Sequence, residues 1–302
     1  MYFIEHHAFF TRLDQYPYVY NSLIQYPDVK VKKAVHELST AALITIDLSE
    51  YHPQMDEIIT IMEKYKLDKD SNTLYYSYRC YSSEDYASAD WFFVYSHFMS
   101  LKTQPLNQYY RETCQVEELD KYMRKRAGFH AAHQNDVITR SAINWRNKFF
   151  ASCTSNQNIL FCREKAKQIL EQNSIKGIDY IPVIKQSTHA PLEDMYHIVG
   201  SAPFPNSAIV VLLGMQETYC PICKERIVIW SGNKSHFGIK KGALDSNVDF
   251  YVTPPMFSSP RKDPSEAIGK PINIISKRMY HILKDNDMAR SLAMEPLPTV
   301  EI

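Results

Sequence analysis

The sequence predicts an α+β fold of mixed sheets with packed helices, including two related β-α-β units in the C-terminal half. Three observations predict it. Short β-branched and aromatic runs alternate with segments of helical period. A weak internal repeat relates residues 159–183 to residues 272–297. The composition, 45% hydrophobic and 23% charged, is that of an ordinary globular chain long enough for a sizeable core. At 302 residues the chain exceeds one average domain. A soft boundary near 125–140 divides it into an N-terminal α+β region, 1–135, and a C-terminal α+β region, 136–302, that carries a CxxC knuckle and a terminal β-α-β unit.

The start, MYFIEHHAFF, has neither a basic n-region nor a continuous apolar stretch, so no signal peptide is expected. TAALITIDLSEY (40–51) is a strand candidate. PQMDEIITIMEKYKLDKD (53–70) has helical period, with Met55, Ile58, Ile59, Met62 and Tyr65 on one face. YASADWFFVYSHF (86–98) carries too many aromatics for a surface and reads as a buried strand. QVEELDKYMRKRAGFHAAHQND (115–136) is helical, and its basic run is answered by Glu117, Glu118 and Asp120 one turn earlier. After residue 185 short strands dominate: MYHIV, AIVVLLG, RIVIW and DFYVT. MFSSPRKDPSEAIGKP (256–271) is a loop.

The repeat has a physical form. With one residue inserted in the second copy, Ile169-Leu170 lies over Ile282-Leu283, Asn173 over Asn286 and Pro182 over Pro296. Each copy runs from an apolar strand into a helix of about three turns, across a polar break, and into an apolar strand ending before a proline. Ala166, Ile169 and Leu170 form the inward stripe of the first helix, and Met279, Ile282 and Leu283 that of the second. Ser276 is placed to cap the second helix, and Asn173 suits the left-handed conformation that ends a helix.

Several function classes are disfavoured. Lys plus Arg equals Asp plus Glu, 34 each, so no net field draws nucleic acid or anionic lipid, and neither is expected as a partner. Only 8 glycines are present, and neither GxGxxG nor GxxxxGK[ST] occurs, which argues against phosphate-cradling loops. The longest apolar run, SAIVVLLGM (207–215), is too short to span a bilayer. Six scattered cysteines and no leader point to reduced thiols in a cytoplasmic protein. The 21 tyrosines suit a surface that docks a protein partner.

Cys220 and Cys223, in ETYCPICKERIVIW, are the sharpest chemical signal. Two intervening residues let both thiolates face one tetrahedral metal, as in a structural zinc knuckle at a hairpin turn. No second CxxC completes the set; Cys153, Cys162, His130, His133 and His236 are the remaining suppliers. The plain alternative is a degenerate knuckle. FHAAHQND sets His130 and His133 three apart, without the glutamate and spacing of a zincin, and reads as a polar helix end. With no GxSxG elbow and no arrangement that singles out a triad, no residue is assigned a catalytic role.

The CxxC in a strand-rich region, followed by DFYVTPPMF (249–257) and the closing INIISKRMYHILKDNDMARSLAMEPL, resembles the bacterial double-CxxCG-motif proteins and related immunity-like proteins encoded near polymorphic toxins. Ile275-Ser276 and Glu295-Pro296 match the ends of that group's closing unit. Lys224 stands where the group has glycine, and the second CxxC is missing. The resemblance covers about the last 145 residues and implies a cytoplasmic, non-enzymatic protein that neutralises a toxin by stoichiometric binding. The competing expectation is a metal-dependent hydrolase using the Cys220/Cys223 region with His130, His133 or His236.

Overall fold

The computed structural model describes residues 2–12, 16–26, 30–35, 41–49, 53–65, 74–101, 138–139, 142–153, 156–212, 215–219, 226–230, 236–254, 256–258 and 271–302. The fold is α+β. Two compact units, Met1–Asp85 and Tyr86–Ile302, divide the chain.

The first unit runs β1 (Tyr2–Arg12), α1 (Tyr16–Leu23), β2 (Lys30–Val35), β3 (Ala41–Ser49), α2 (Met55–Lys64) and β4 (Leu74–Cys80). Its antiparallel sheet has the order β2-β3-β1-β4. This is the ferredoxin-like pairing of two split β-α-β units, in which each helix joins strands that lie next but one in the sheet. A helix is about 10–12 Å wide and neighbouring strands are about 4.8 Å apart, so one helix spans two strand spacings and leaves a slot for the intervening strand. Val19, Leu23 and Tyr26 from the α1 region, Ile58 of α2, and Ile44 and Ile46 of β3 form the core, with Ile61 and Tyr65 packed on it. The alternation of Ile44 and Ile46 and the helical spacing of Ile58, Ile61 and Tyr65 create that core from sequence period alone.

The division between units falls within the short helix α3 (Ser83–Ser88). The second unit contains β5 (Trp91–Ser96), β6 (Met99–Leu101), β7 (Ile138–Thr139), β8 (Phe150–Cys153), β9 (Asn156–Cys162), α4 (Glu164–Gln172), β10 (Ile178–Lys185) and β11 (Pro191–Gly200). It continues with β12 (Ile209–Val211), β13 (Met215–Tyr219), β14 (Arg226–Trp230), β15 (Phe237–Lys240), β16 (Phe250–Val252) and β17 (Phe257–Ser258). It ends with β18 (Asn273–Ser276), α5 (Lys277–Asp285), β19 (Leu292–Leu297) and β20 (Thr299–Val300).

The two β-α-β units expected from the repeat are present, and they are also split. In the sheet β6-β8-β9-β11-β10-β7, β9 and β10 flank β11 and are antiparallel to it; in β16-β18-β5-β19, β18 and β19 flank β5 in the same way. The correspondence extends outward, since β8 lies antiparallel to β9 as β16 does to β18. The middle strand differs in origin: β11 follows its unit in sequence, whereas β5 precedes its unit by almost 180 residues. The sequence placed 86–98 in the N-terminal region, and the structure moves it. Phe92 and Val94 of β5 face one core and Trp91 and Phe93 another, so the strand needs cover on both faces and partners on both edges. The expected boundary near 125–140 lies mostly outside the described residues, as does the expected helix 115–136.

Helices α4 and α5 have nine residues each and end alike. Asn173 Nδ2 donates to the Ile169 carbonyl at 2.8 Å, and Asn286 Nδ2 donates to the Ile282 carbonyl at 2.9 Å. The left-handed residue is the next one in each copy, Ser174 (φ 53°) and Asp287 (φ 57°), not the asparagine. Each asparagine adds its side chain to a carbonyl that its own backbone N–H already meets, at 3.1 Å for Ile169 and 3.2 Å for Ile282, while its backbone stays near helical. Ala166 and Leu170 of α4 and Met279 and Leu283 of α5 enter one core with Phe92, Phe150, Leu160 and Phe250. Tyr280 stacks on Phe92 at 4.3 Å and 6°, worth about 1 kcal/mol beyond area burial.

Candidate binding cleft

Gly177 begins the construction of the site. Its φ of +86° is left-handed, and a Cβ there would lie 2.4 Å from the Phe250 carbonyl oxygen. Only glycine lets the turn after α4 come so close to β16. The contact is stitched by Asp249, whose N–H, with that of Phe250, donates to the Lys176 carbonyl at 2.9 and 3.1 Å. The Asp249 carboxylate accepts from Lys176 N–H at 3.1 Å, from the Ser276 hydroxyl at 2.8 Å and from the Arg278 guanidinium at 2.7 Å. One buried carboxylate thus joins the turn after the first repeat's helix to the helix start of the second.

The second close approach is at Gly200, the last residue of β11. A Cβ there would meet the Val252 backbone nitrogen at 2.9 Å. With both glycines in place, the paired residues Asp179 and Val199 lie beside the 252–254 segment, and a cleft of about 600 Å³ opens between them. Asp179, Ile181, Val199 and Gly200 contribute from the hairpin, Ala202, Pro203 and Phe204 from the loop after it, and Val252, Thr253 and Pro254 from the segment that leaves β16. It is open to solvent rather than enclosed.

Its walls are held firmly. Phe204 meets Tyr251 edge-on at 5.9 Å, and Tyr251 meets Trp91 edge-on at 5.7 Å. The Tyr251 phenol accepts from Asp245 N–H at 3.1 Å, and burial pushes its pKa above the usual value. Thr253 is pinned to the strand start at Ile272: its N–H donates to the Ile272 carbonyl at 2.9 Å, and its hydroxyl accepts from Ile272 N–H at 3.0 Å. That hydroxyl donates to the Pro254 carbonyl at 2.9 Å, so its polar capacity is engaged. The cleft therefore presents a surface of mixed polarity, with apolar side chains beside backbone polar groups, and a single titratable side chain, Asp179. Such a lining suits binding; acid–base chemistry needs a second group within reach.

The residues singled out from sequence lie elsewhere. β13 and β14 pair antiparallel in register from Met215–Trp230 to Tyr219–Arg226, on either side of residues 220–225. Cys220 and Cys223 themselves are outside the described residues, as are His130 and His133. His236 is buried, and its carbonyl accepts from Leu212 N–H, which places it by the Met215–Trp230 end of the hairpin. The five residues of β13 put about 14 Å between that end and the Tyr219–Arg226 end. Cys162 is fully buried in β9, where burial drives its thiol pKa upward and keeps it protonated, an inert core group. Among the described residues, no group of three or more His, Cys, Asp or Glu side chains is arranged to hold a metal.

Sequence reasoning missed the cleft because it followed cysteines and histidines. One signal was available: in a chain with 8 glycines, Gly177 and Gly200 bracket a single hairpin. No protein-family model matches the sequence, and no curated protein matches it.

Proposed function

We propose that this chain is a non-enzymatic binding protein of the immunity-like kind, which neutralises a toxin by stoichiometric association in the cytoplasm. The observation that carries the reading is the open cleft with one carboxylate and walls held by packing and hydrogen bonds, a surface fitted to hold a partner rather than to transform a substrate. The likeness of the closing unit to immunity-like proteins supplies the class of partner. No helix among the described residues is long and apolar enough to cross a membrane. A structural zinc at Cys220 and Cys223 belongs to the same reading, supported by their two-residue spacing and by the antiparallel strands on either side of them.

Co-expression with the product of the neighbouring gene tests the proposal. The expected result is rescue of growth and a 1:1 complex that survives gel filtration. Continued toxicity together with separate elution of the two proteins overturns it.

A further inference from the structure

We propose that the cleft between Asp179 and Phe204 receives an arginine side chain presented by the partner protein, an inference that rests on the binding-protein reading and specifies what is bound. Three observations converge. Asp179 is exposed at the cleft, and among the described residues no cation or hydrogen-bond donor meets its carboxylate. The other lining side chains are apolar or internally satisfied, with Thr253 engaged by Ile272 and Pro254. Asp179 is therefore the one charged side chain among the lining residues, and a cation on an apolar stem complements it. The cleft is open along its side, so a side chain still attached to its own backbone can enter, whereas a free small ligand is better held by an enclosed pocket.

Arginine fits better than lysine. Its three-carbon stem buries against Ile181 and Val199 while its planar head reaches water or a carboxylate. The guanidinium stacks on an aromatic wall such as Phe204 and forms a two-pronged bond to a carboxylate, which an ammonium does not. Rigidity strengthens the fit, because Phe204 is seated on Tyr251 and little side-chain freedom is lost on binding.

The test uses N-acetyl-arginine N-methylamide as the probe, titrated into the full-length, isotope-labelled protein and followed by amide chemical shifts. Saturable shifts are expected at Asp179, Ile181, Val199, Gly200, Ala202, Phe204, Val252 and Thr253. The lysine probe is expected to bind more weakly, and the neutral citrulline isostere about tenfold more weakly, the scale of one charge-assisted contact. Asp179→Asn is expected to reduce arginine binding to the citrulline level, with an unchanged thermal melt showing that the fold survives. Equal binding of arginine and citrulline overturns the proposal without any variant, and so does saturable binding that leaves these amides unmoved. The partner complex separates the two readings. A complex that forms equally well with Asp179→Lys refutes arginine capture and leaves the binding function standing; no complex with the wild-type chain refutes the binding function, while the probe still reports on the cleft.

Discussion

The Arg278 guanidinium donates to the Asp249 carboxylate at 2.7 Å, and the two partners differ sharply in exposure: the Arg278 side chain is 51% exposed and that of Asp249 3%. Asp249 is thus a buried acceptor shared by three donors, while Arg278 is a surface arm that adds to it and also reaches the Asn173 carbonyl at the end of α4. The asymmetry sets the first prediction. Asp249→Ala strands the Lys176 N–H and the Ser276 hydroxyl and is expected to cost about 2–3 kcal/mol. Arg278→Ala should cost less, about 1 kcal/mol, because it removes an arm that is itself half exposed and leaves the Lys176 and Ser276 donors on the carboxylate. Urea unfolding of both variants checks the ranking, and equal losses would contradict it.

Replacement of the two cleft glycines should act through backbone overlap. Gly177→Ala combines a left-handed φ with a carbonyl 2.4 Å from the new Cβ and is expected to cost at least about 2 kcal/mol. Gly200→Val meets the Val252 backbone at β16 and should lose about 1–3 kcal/mol while altering amide shifts at 252–254. A Gly177→Ala protein as stable as the wild type would show that the turn relaxes without cost.

The two repeat helices are capped from different places. Ser276 caps α5 from the adjoining sequence position, accepting from Met279 N–H at 3.1 Å. At α4, Arg163 holds the cap position without a side-chain bond to the helix, and Asp194 of β11 accepts from Glu164 N–H at 2.8 Å. Ser276→Ala and Asp194→Ala are each expected to cost about 1–2 kcal/mol, the usual scale for a lost cap. Asp194→Ala should also release Arg163, which now bonds that carboxylate through Nε at 2.7 Å. Thermal melts compare the two, and an Asp194→Ala protein with an unshifted melt would remove the borrowed cap from the account.

Tyr196 and Glu164 give a titration signature. The Tyr196 hydroxyl hydrogen-bonds the Glu164 carboxylate, which lowers the carboxyl pKa below its usual value. The same bond, with burial behind it, pushes the phenol up to about 12. Since the phenol pKa is raised on folding, its contribution to stability is full below the ordinary value near 10 and disappears as pH rises through about 12. For Glu164 the sign is reversed: its contribution is present above the unfolded carboxyl pKa and is lost as pH falls through the folded one. Ultraviolet titration should find one tyrosine near 12, moved downward by Glu164→Gln. An unmoved high titration would assign it to another phenol.

Zinc at the hairpin connection predicts one equivalent of metal by elemental analysis. Cys220→Ser and Cys223→Ser should each abolish it and lower the thermal midpoint, as expected of a staple. Metal retained in the double variant would place any zinc elsewhere.

The sequence by itself determined the local units and their amphipathic faces. Helical spacing placed Ala166 and Leu170, and Met279 and Leu283, in one core; Ser276 was legible as a cap; and Pro182 and Pro296, each without an N–H to donate, mark corresponding strands in the two copies. These features depend on neighbours within a few residues, which a linear pattern records. Tertiary structure decided which strand fills the slot of each split unit, that Asp194 caps a helix 30 residues before it, and that Gly177 and Gly200 bring β16 against the β10–β11 hairpin. Each of these is a meeting of segments distant in the chain, fixed by hydrogen-bond demand and by which backbones can approach closely. The cleft exists only where such meetings coincide.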